Sequence, residues 1–170
     1  MEFERVVKNR HSIRAFQPKE VEEEKIKKIL ELTNLAPSAG NLQGYEIFLV
    51  KDEKKKIALA DAALGQDFIA EAPIVPVFCA NPARSASRYA SRGRDLYSIQ
   101  DATIACSFAM LAATSLGLSS CWVGAFDEEE VKRVLDIKHL KPVAILPIGY
   151  PAEKPYATGR RSLKDLVHEI

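Results

Sequence analysis

Two short stretches carry residue types from which a binding site can be built. The first is Asn9-Arg10-His11-Ser12-Ile13-Arg14-Ala15-Phe16. Side chains alternate along an extended chain, so Arg10, Ser12 and Arg14 would point to one side and Ile13 to the other. That side presents two guanidinium groups and a hydroxyl. Four residues at about 3.3 Å each set the two arginines on the order of 13 Å apart, so one can hold a phosphate while the other reaches a ring further along. A phosphate monoester carries about −1.5 to −2 charges at neutral pH, which planar bidentate arginine donors neutralise well. The same spacing also describes a solvated basic surface strand. The second stretch, Ala36-Pro37-Ser38-Ala39-Gly40-Asn41-Leu42-Gln43, is made of small residues and uncharged donors and acceptors. Ser38, Asn41 and Gln43 offer hydroxyl and amide groups suited to a polar ring edge or to polyol hydroxyls. Taken alone, it is also a plain turn in which Gly40 supplies a positive φ.

A third stretch, Ala83 to Arg94, holds Arg84, Arg88, Arg92 and Arg94 and no acid. The first three recur at i, i+4 and i+8, which aligns them on one helical face. They read as a solvated lid, or as a cationic rim that attracts an anionic reductant or substrate. Other chemistries lack support. There is no G-x-G-x-x-G after a strand and no G-x-x-x-x-G-K-[ST], and the three histidines sit in unrelated segments with no local Ser-His-Asp context. Cys79, Cys106 and Cys121 form no C-x-x-C pair and no zinc spacing with His11, His139 or His168, so no metal site is expected. Reduced thiols fit a cytoplasmic protein.

These stretches must be positioned by a chain of 170 residues, 47% hydrophobic and 28% charged, the size of one globular domain over residues 1–170. With 24 Lys plus Arg against 23 Asp plus Glu, the net charge of +1 gives no support to a nucleic-acid or membrane partner. The opening MEFERVVKNR has no apolar run and does not read as a secretory signal. Helical spacing runs from Val21 to about Leu35, with Ile26, Ile29, Leu30 and Thr33 on one face and Pro37 beyond its end. Further helices are expected near Glu53 to Leu64, Leu96 to Leu116 and Glu128 to Leu135, and strands at Tyr45 to Val50, Ile74 to Cys79, Cys121 to Ala125 and Val143 to Ile148. Interleaved strands and helices indicate a layered α/β or α+β fold. Ala102 to Leu118 is long enough to border on a membrane span, but a helix buried all round in a soluble core explains its Thr103, Ser107, Thr114 and Ser115 better.

R-x-S-x-R-x-F near the start, followed by APSAGNLQ, resembles the nitroreductase family of FMN enzymes. Later landmarks agree: the helix entry at Asp101, the run Ser120 to Ala125, the strand ending Pro147-Ile148-Gly149-Tyr150-Pro151, and the closing Arg160-Arg161-Ser162-Leu163. The resemblance implies an α+β three-layer α/β/α sandwich, a mostly antiparallel central sheet flanked by helices, in an intertwined homodimer. Two non-covalent FMN sites would lie at the subunit interface, with NADH or NADPH as reductant and nitro compounds, quinones or related electrophiles as acceptors. A dehalogenase, an oxygen-dependent flavin-fragmenting enzyme, or an FMN-binding module with little turnover are the other activities it would allow. It places Arg10, His11, Ser12 and Arg14 at the phosphate and ring, Arg160 and Arg161 at the phosphate, and Ser38, Ala39, Asn41 and Gln43 against the flavin, commonly from the other subunit. It also places Val123 and Gly124 under the ring, where the Gly124 backbone N–H faces flavin N5 and provides electrostatic catalysis without a titrating side chain. Many relatives have Pro-Trp where this chain has Gly44-Tyr45, an acid in place of Val123 and Lys in place of Gly159. A shorter chain than the longer relatives implies a reduced roof and a more open flavin face.

Overall fold

A computed structural model describes residues 2–156 and 158–170. The element order is α1 (Phe3–Asn9), α2 (Glu23–Thr33), β1 (Tyr45–Val50), α3 (Glu53–Ala62), α4 (Phe68–Glu71), β2 (Val75–Ala80), α5 (Pro82–Arg92), α6 (Ser98–Ser115), β3 (Ser119–Ser120), α7 (Glu128–Leu135), β4 (Lys141–Ile145), β5 (Ile148–Gly149) and α8 (Leu163–Leu166). A short 3₁₀ turn covers Ala39–Asn41 and a π-helical turn covers Gly93–Tyr97.

The central strand β2, Val-Pro-Val-Phe-Cys-Ala, is buried at every residue. A strand buried on both faces needs no alternation and reads as a continuous apolar run. It lies between β1 and β4, antiparallel to both, while β3 and β5 form a separate antiparallel pair. On one side of the sheet Phe78 and Ala80 pack with Ile26 and Ile29 of α2 and with Ala102, Ala105 and Ala109 of α6. On the other, Val75, Val77 and Cys79 pack with Leu59, Ala60 and Ala63 from α3 and its end, and with Val131 and Leu135 of α7. The result is a helix–sheet–helix sandwich around an antiparallel sheet, as the family resemblance implies.

Local chemistry fixes several of the helix starts. Asp52, Asn81 and Asp127 each accept a hydrogen bond from the backbone N–H three residues on, capping α3, α5 and α7. Pro82 takes the first position of α5, where its missing N–H costs nothing.

Three expectations change. The expected strand Cys121 to Ala125 is reduced to a single bridge at Val123, which exchanges both backbone hydrogen bonds with Ile145 at 2.9 and 3.0 Å. The expected strand Val143 to Ile148 is split between β4 and β5 because Pro147 has no N–H to donate to a ladder. Helix α6 is not buried all round: Ala102, Ala105, Cys106, Ala109 and Ala113 are enclosed, but Phe108 is 36% exposed and Ser107 faces solvent. Pro82–Ser115 is long and apolar enough to cross a membrane by length and composition, yet half of its most apolar window is buried inside the fold.

Candidate functional site

Segment 10–16 leaves α1 in extended form and is tied into the fold at two points: Ser12 bridges Ser120 in parallel and Phe16 bridges Pro151. Ile13 donates its N–H to Ser120 O and is buried, while Ser12 and Arg14 stay exposed. The alternation expected from the sequence is therefore present, with Arg10 and His11 half-buried at its start. Among the described residues, neither the Arg10 nor the Arg14 guanidinium has an ion-pair or hydrogen-bond partner. Beside them runs Cys121 to Gly124. Burial pushes the Cys121 thiol above its usual range, opposed by Arg14, by the Ser12 hydroxyl and by Arg10, and reinforced by Glu153. Glu153 also accepts from the Arg14 backbone N–H at 2.5 Å. The Ser120 hydroxyl is buried without a partner among the described residues. Val123 is buried, whereas Gly124 is exposed and its N–H donates to no acceptor among the described residues. A Cβ on Gly124 would stand 3.2 Å from Trp122 Nε1, so the position is already close to full.

The second group lies elsewhere. Ser38 Oγ accepts from the Gln43 N–H at 2.9 Å, and Gln43 Nε2 donates to the Asn41 carbonyl and to Asn41 Oδ1, both at 2.7 Å. Ser38 and Ala39 line an open groove of about 510 Å³ with Pro37, Tyr97 and Ile104. No hydrogen bond, ion pair or groove among the described residues joins this loop to the Arg10–Arg14 segment. Arg160 and Arg161 stand apart from both: Arg160 donates to Thr158 and Gly159, and Arg161 to the Asp165 carbonyl. Within one chain the twelve expected residues thus fall into three clusters.

The structure also gives partners to residues that the sequence marks without assigning them a place in the site. Asp101, at the head of α6, accepts from the N–H groups of Ala39 and Gly44 at 2.9 and 3.1 Å. Its signal in the sequence is a single charge at the entry of an otherwise apolar helix, since a buried charge requires partners. Gly44 is a departure with a local reason: a proline there could not donate to Asp101. The arginine run is not a uniform cationic face. Helix α5 breaks at Tyr89 and Ala90, where Ala90 has φ 48 and ψ −132. Arg84 and Arg88 donate to the carbonyls of Leu42 and Gly40, and Arg92 donates to the Tyr97 hydroxyl at 2.8 Å.

The profile of the nitroreductase family matches residues 7–66 and 60–150. The chain belongs to the nitroreductase family. This nitroreductase-family chain is 31% identical over 170 residues to a Methanothermobacter thermautotrophicus protein provisionally described as an NADH dehydrogenase/NAD(P)H nitroreductase, covering 97% of this chain and 84% of the relative. It is 32% identical over 157 residues to the FMN reductase [NAD(P)H] of Bacillus subtilis, covering 84% of this chain and 63% of that protein. Among solved structures, nitroreductase A from Vibrio parahaemolyticus superposes with a TM-score of 0.91 at 26% identity, covering 99% of this chain and 76% of the other. The resemblance in the R-x-S-x-R and APSAGNLQ motifs thus extends to nearly the whole fold of this family member.

Proposed function

We propose that this chain is an NAD(P)H-dependent flavin oxidoreductase that binds FMN without a covalent link, as a homodimer with FMN at the subunit interface, and carries out two-electron reduction of nitro compounds, quinones or related small electrophiles. One observation carries the reading: two guanidinium groups and the Ser12 hydroxyl lie on one side of an extended segment, beside the run that ends in the Gly124 N–H, and among the described residues neither guanidinium nor that N–H has a partner. That donor set suits a phosphate monoester followed by a ring. FMN, when bound, supplies reversible two-electron acceptance from the reductant and donation to the acceptor.

The protein's own contribution is binding and orientation. Arg10, Ser12 and Arg14, joined by Arg160 and Arg161, neutralise the phosphate and fix the ring, while His11 keeps the spacing between them. Ser38, Ala39, Asn41 and Gln43 supply uncharged donors and acceptors, which hold the ligand without adding a titrating charge. With FMN bound, Val123 would close one side of the site, and Gly124 would offer its N–H to charge that develops on the ligand, with no proton transfer by a side chain. The separation of the expected residues into three clusters in one chain supports a site completed by a second copy. Three free buried cysteines support a cytoplasmic placement.

Anaerobic titration of the FMN-loaded protein with NADH and with NADPH tests this. Bleaching of the flavin absorbance by either reductant, followed by recovery with a nitroaromatic or quinone, is expected. A flavin that stays oxidised with both would contradict the reductase reading, and a released chromophore with the mass of FAD would contradict the cofactor.

A further inference from the structure

Asp101 is 2% exposed and is the only charged residue between Ser98 and Leu118, yet among the described residues no cation pairs with it. Its two oxygens instead take the two N–H groups that bracket the 39–44 loop: Oδ1 that of Ala39 and Oδ2 that of Gly44. Between the two anchor points the backbone is unusual. Gly40, Asn41 and Gln43 have φ of 57, 57 and 45, and such left-handed residues other than glycine persist only where their surroundings over-determine them.

The opposite edge of the loop is held by the opposite charge. Arg84 donates to the Leu42 carbonyl and Arg88 to the Gly40 carbonyl, and a Cβ on Gly40 would collide with the Tyr89 hydroxyl. One buried anion therefore takes the N–H groups at the loop's ends, and two cations take the carbonyls at its crest. The loop's backbone polarity is largely used up by this arrangement. What it presents outward is the interlocked set of Ser38, Asn41 and Gln43.

We infer that Asp101 is a positioning residue for the 39–44 loop, working with Arg84 and Arg88 as the two halves of a clamp that fixes how Asn41 and Gln43 are offered to the flavin. This rests on the reading that the loop faces FMN. An asparagine at 101 keeps one acceptor oxygen but turns an amide donor toward the second N–H, which opens one side of the clamp. The arginine run acquires a use in this way that neither a solvated lid nor a cationic rim provides.

The test uses the full FMN-loaded protein and four variants: Asp101→Asn, the double variant Arg84→Gln/Arg88→Gln, the loop double variant Asn41→Ala/Gln43→Ala, and Leu59→Ala as a purely structural control in the opposite layer. FMN dissociation constants, the visible circular dichroism of the bound flavin, its midpoint potential and Tm are measured for each. Asp101→Asn and the arginine pair are expected to weaken FMN by about tenfold and to change the visible dichroism in the same sense as the loop variant. Leu59→Ala is expected to lower Tm and leave the flavin signals alone. Unchanged affinity and dichroism in the Asp101 and arginine variants, with a clear loss in the loop variant, would overturn the clamp while leaving the flavin-facing loop intact. An unaffected loop variant would remove the flavin-facing loop itself, and the clamp with it. If Asp101→Asn does not accumulate as folded protein, the surface arginine pair decides the matter by the same readouts.

Discussion

Arg10 and Arg14 are cations with no ion-pair partner among the described residues, set on a segment that two bridges hold straight. A charge-assisted hydrogen bond to a ligand contributes about 1.5 to 3 kcal/mol, so Arg10→Ala should weaken FMN about tenfold or more while leaving Tm of the ligand-free protein nearly unchanged. Fluorescence titration of FMN measures this, and unchanged affinity would remove Arg10 from the site. The residues of this segment were legible because an extended run shows its faces by simple alternation, and Ile13 gave away which face is buried. Asp101 was not legible as a partner of the 39–44 loop. Its two bonds span 62 and 57 residues of sequence, and no local spacing encodes contacts of that range. The sequence showed only that a lone carboxylate opens an apolar helix.

At the scale of elements, the segment from α5 to α6 shows where patterning stops being informative. Arg84, Arg88 and Arg92 have perfect helical spacing, and the helix nevertheless breaks between the second and third of them. The break has a packing reason: a Cβ at Gly93 would strike the backbone carbonyl of Ser85, so the chain turns back on itself there. Gly93→Ala should accordingly destabilise the fold by about 1 to 3 kcal/mol, the usual cost of overpacking an enclosed position. Ala90, with φ 48, is a non-glycine residue held in a conformation that glycine adopts more readily, so Ala90→Gly should be neutral or stabilising by about 1 kcal/mol. The urea midpoint of Gly93→Ala should therefore fall while that of Ala90→Gly does not, and a fall in both would argue against the kink. The long elements α2, α3, α6, α7, β1 and β2 were readable from periodicity and caps. The short bridges at Val123 and Phe16 were not, because a one-residue pairing has no period.

The molecule as a whole is a sandwich whose middle strand carries a thiol. Burial, with Glu46 and Glu128 adding to it, pushes Cys79 up to about 12, and burial raises Cys106 well above its usual value and Cys121 as well. An unfolded thiol ionises near 9.0, so between that value and the folded one the unfolded chain has lost protons that the native chain still holds. The thiol contribution to stability is thus intact below about pH 9 and is lost progressively as pH rises from there through the folded value. Urea midpoints measured from pH 8 to 11 should fall above pH 9, and Cys79→Ala should make that fall shallower. A fall of equal slope in the variant would show that lysine and tyrosine titration alone accounts for it.

Assembly is the remaining property at this scale. Phe3 and Val7 of α1 and Phe108 of α6 leave apolar surface uncovered, and the tail adds Tyr156, Leu163, Leu166 and Val167, all exposed. Apolar surface of this extent is unusual on a chain that stays alone, and a tail whose arginines, among the described residues, bond only within the tail can deliver them to another copy. Sedimentation should therefore show a homodimer, and removing residues 156–170 should weaken the dimer and lower FMN affinity at least tenfold together, because the tail would carry both the apolar contacts and Arg160 and Arg161 across. Dilution of the full chain should release flavin in step with dissociation. A monomer that keeps its FMN on dilution would show that each chain builds its site alone, and would place the phosphate on Arg10 and Arg14 without help from the tail.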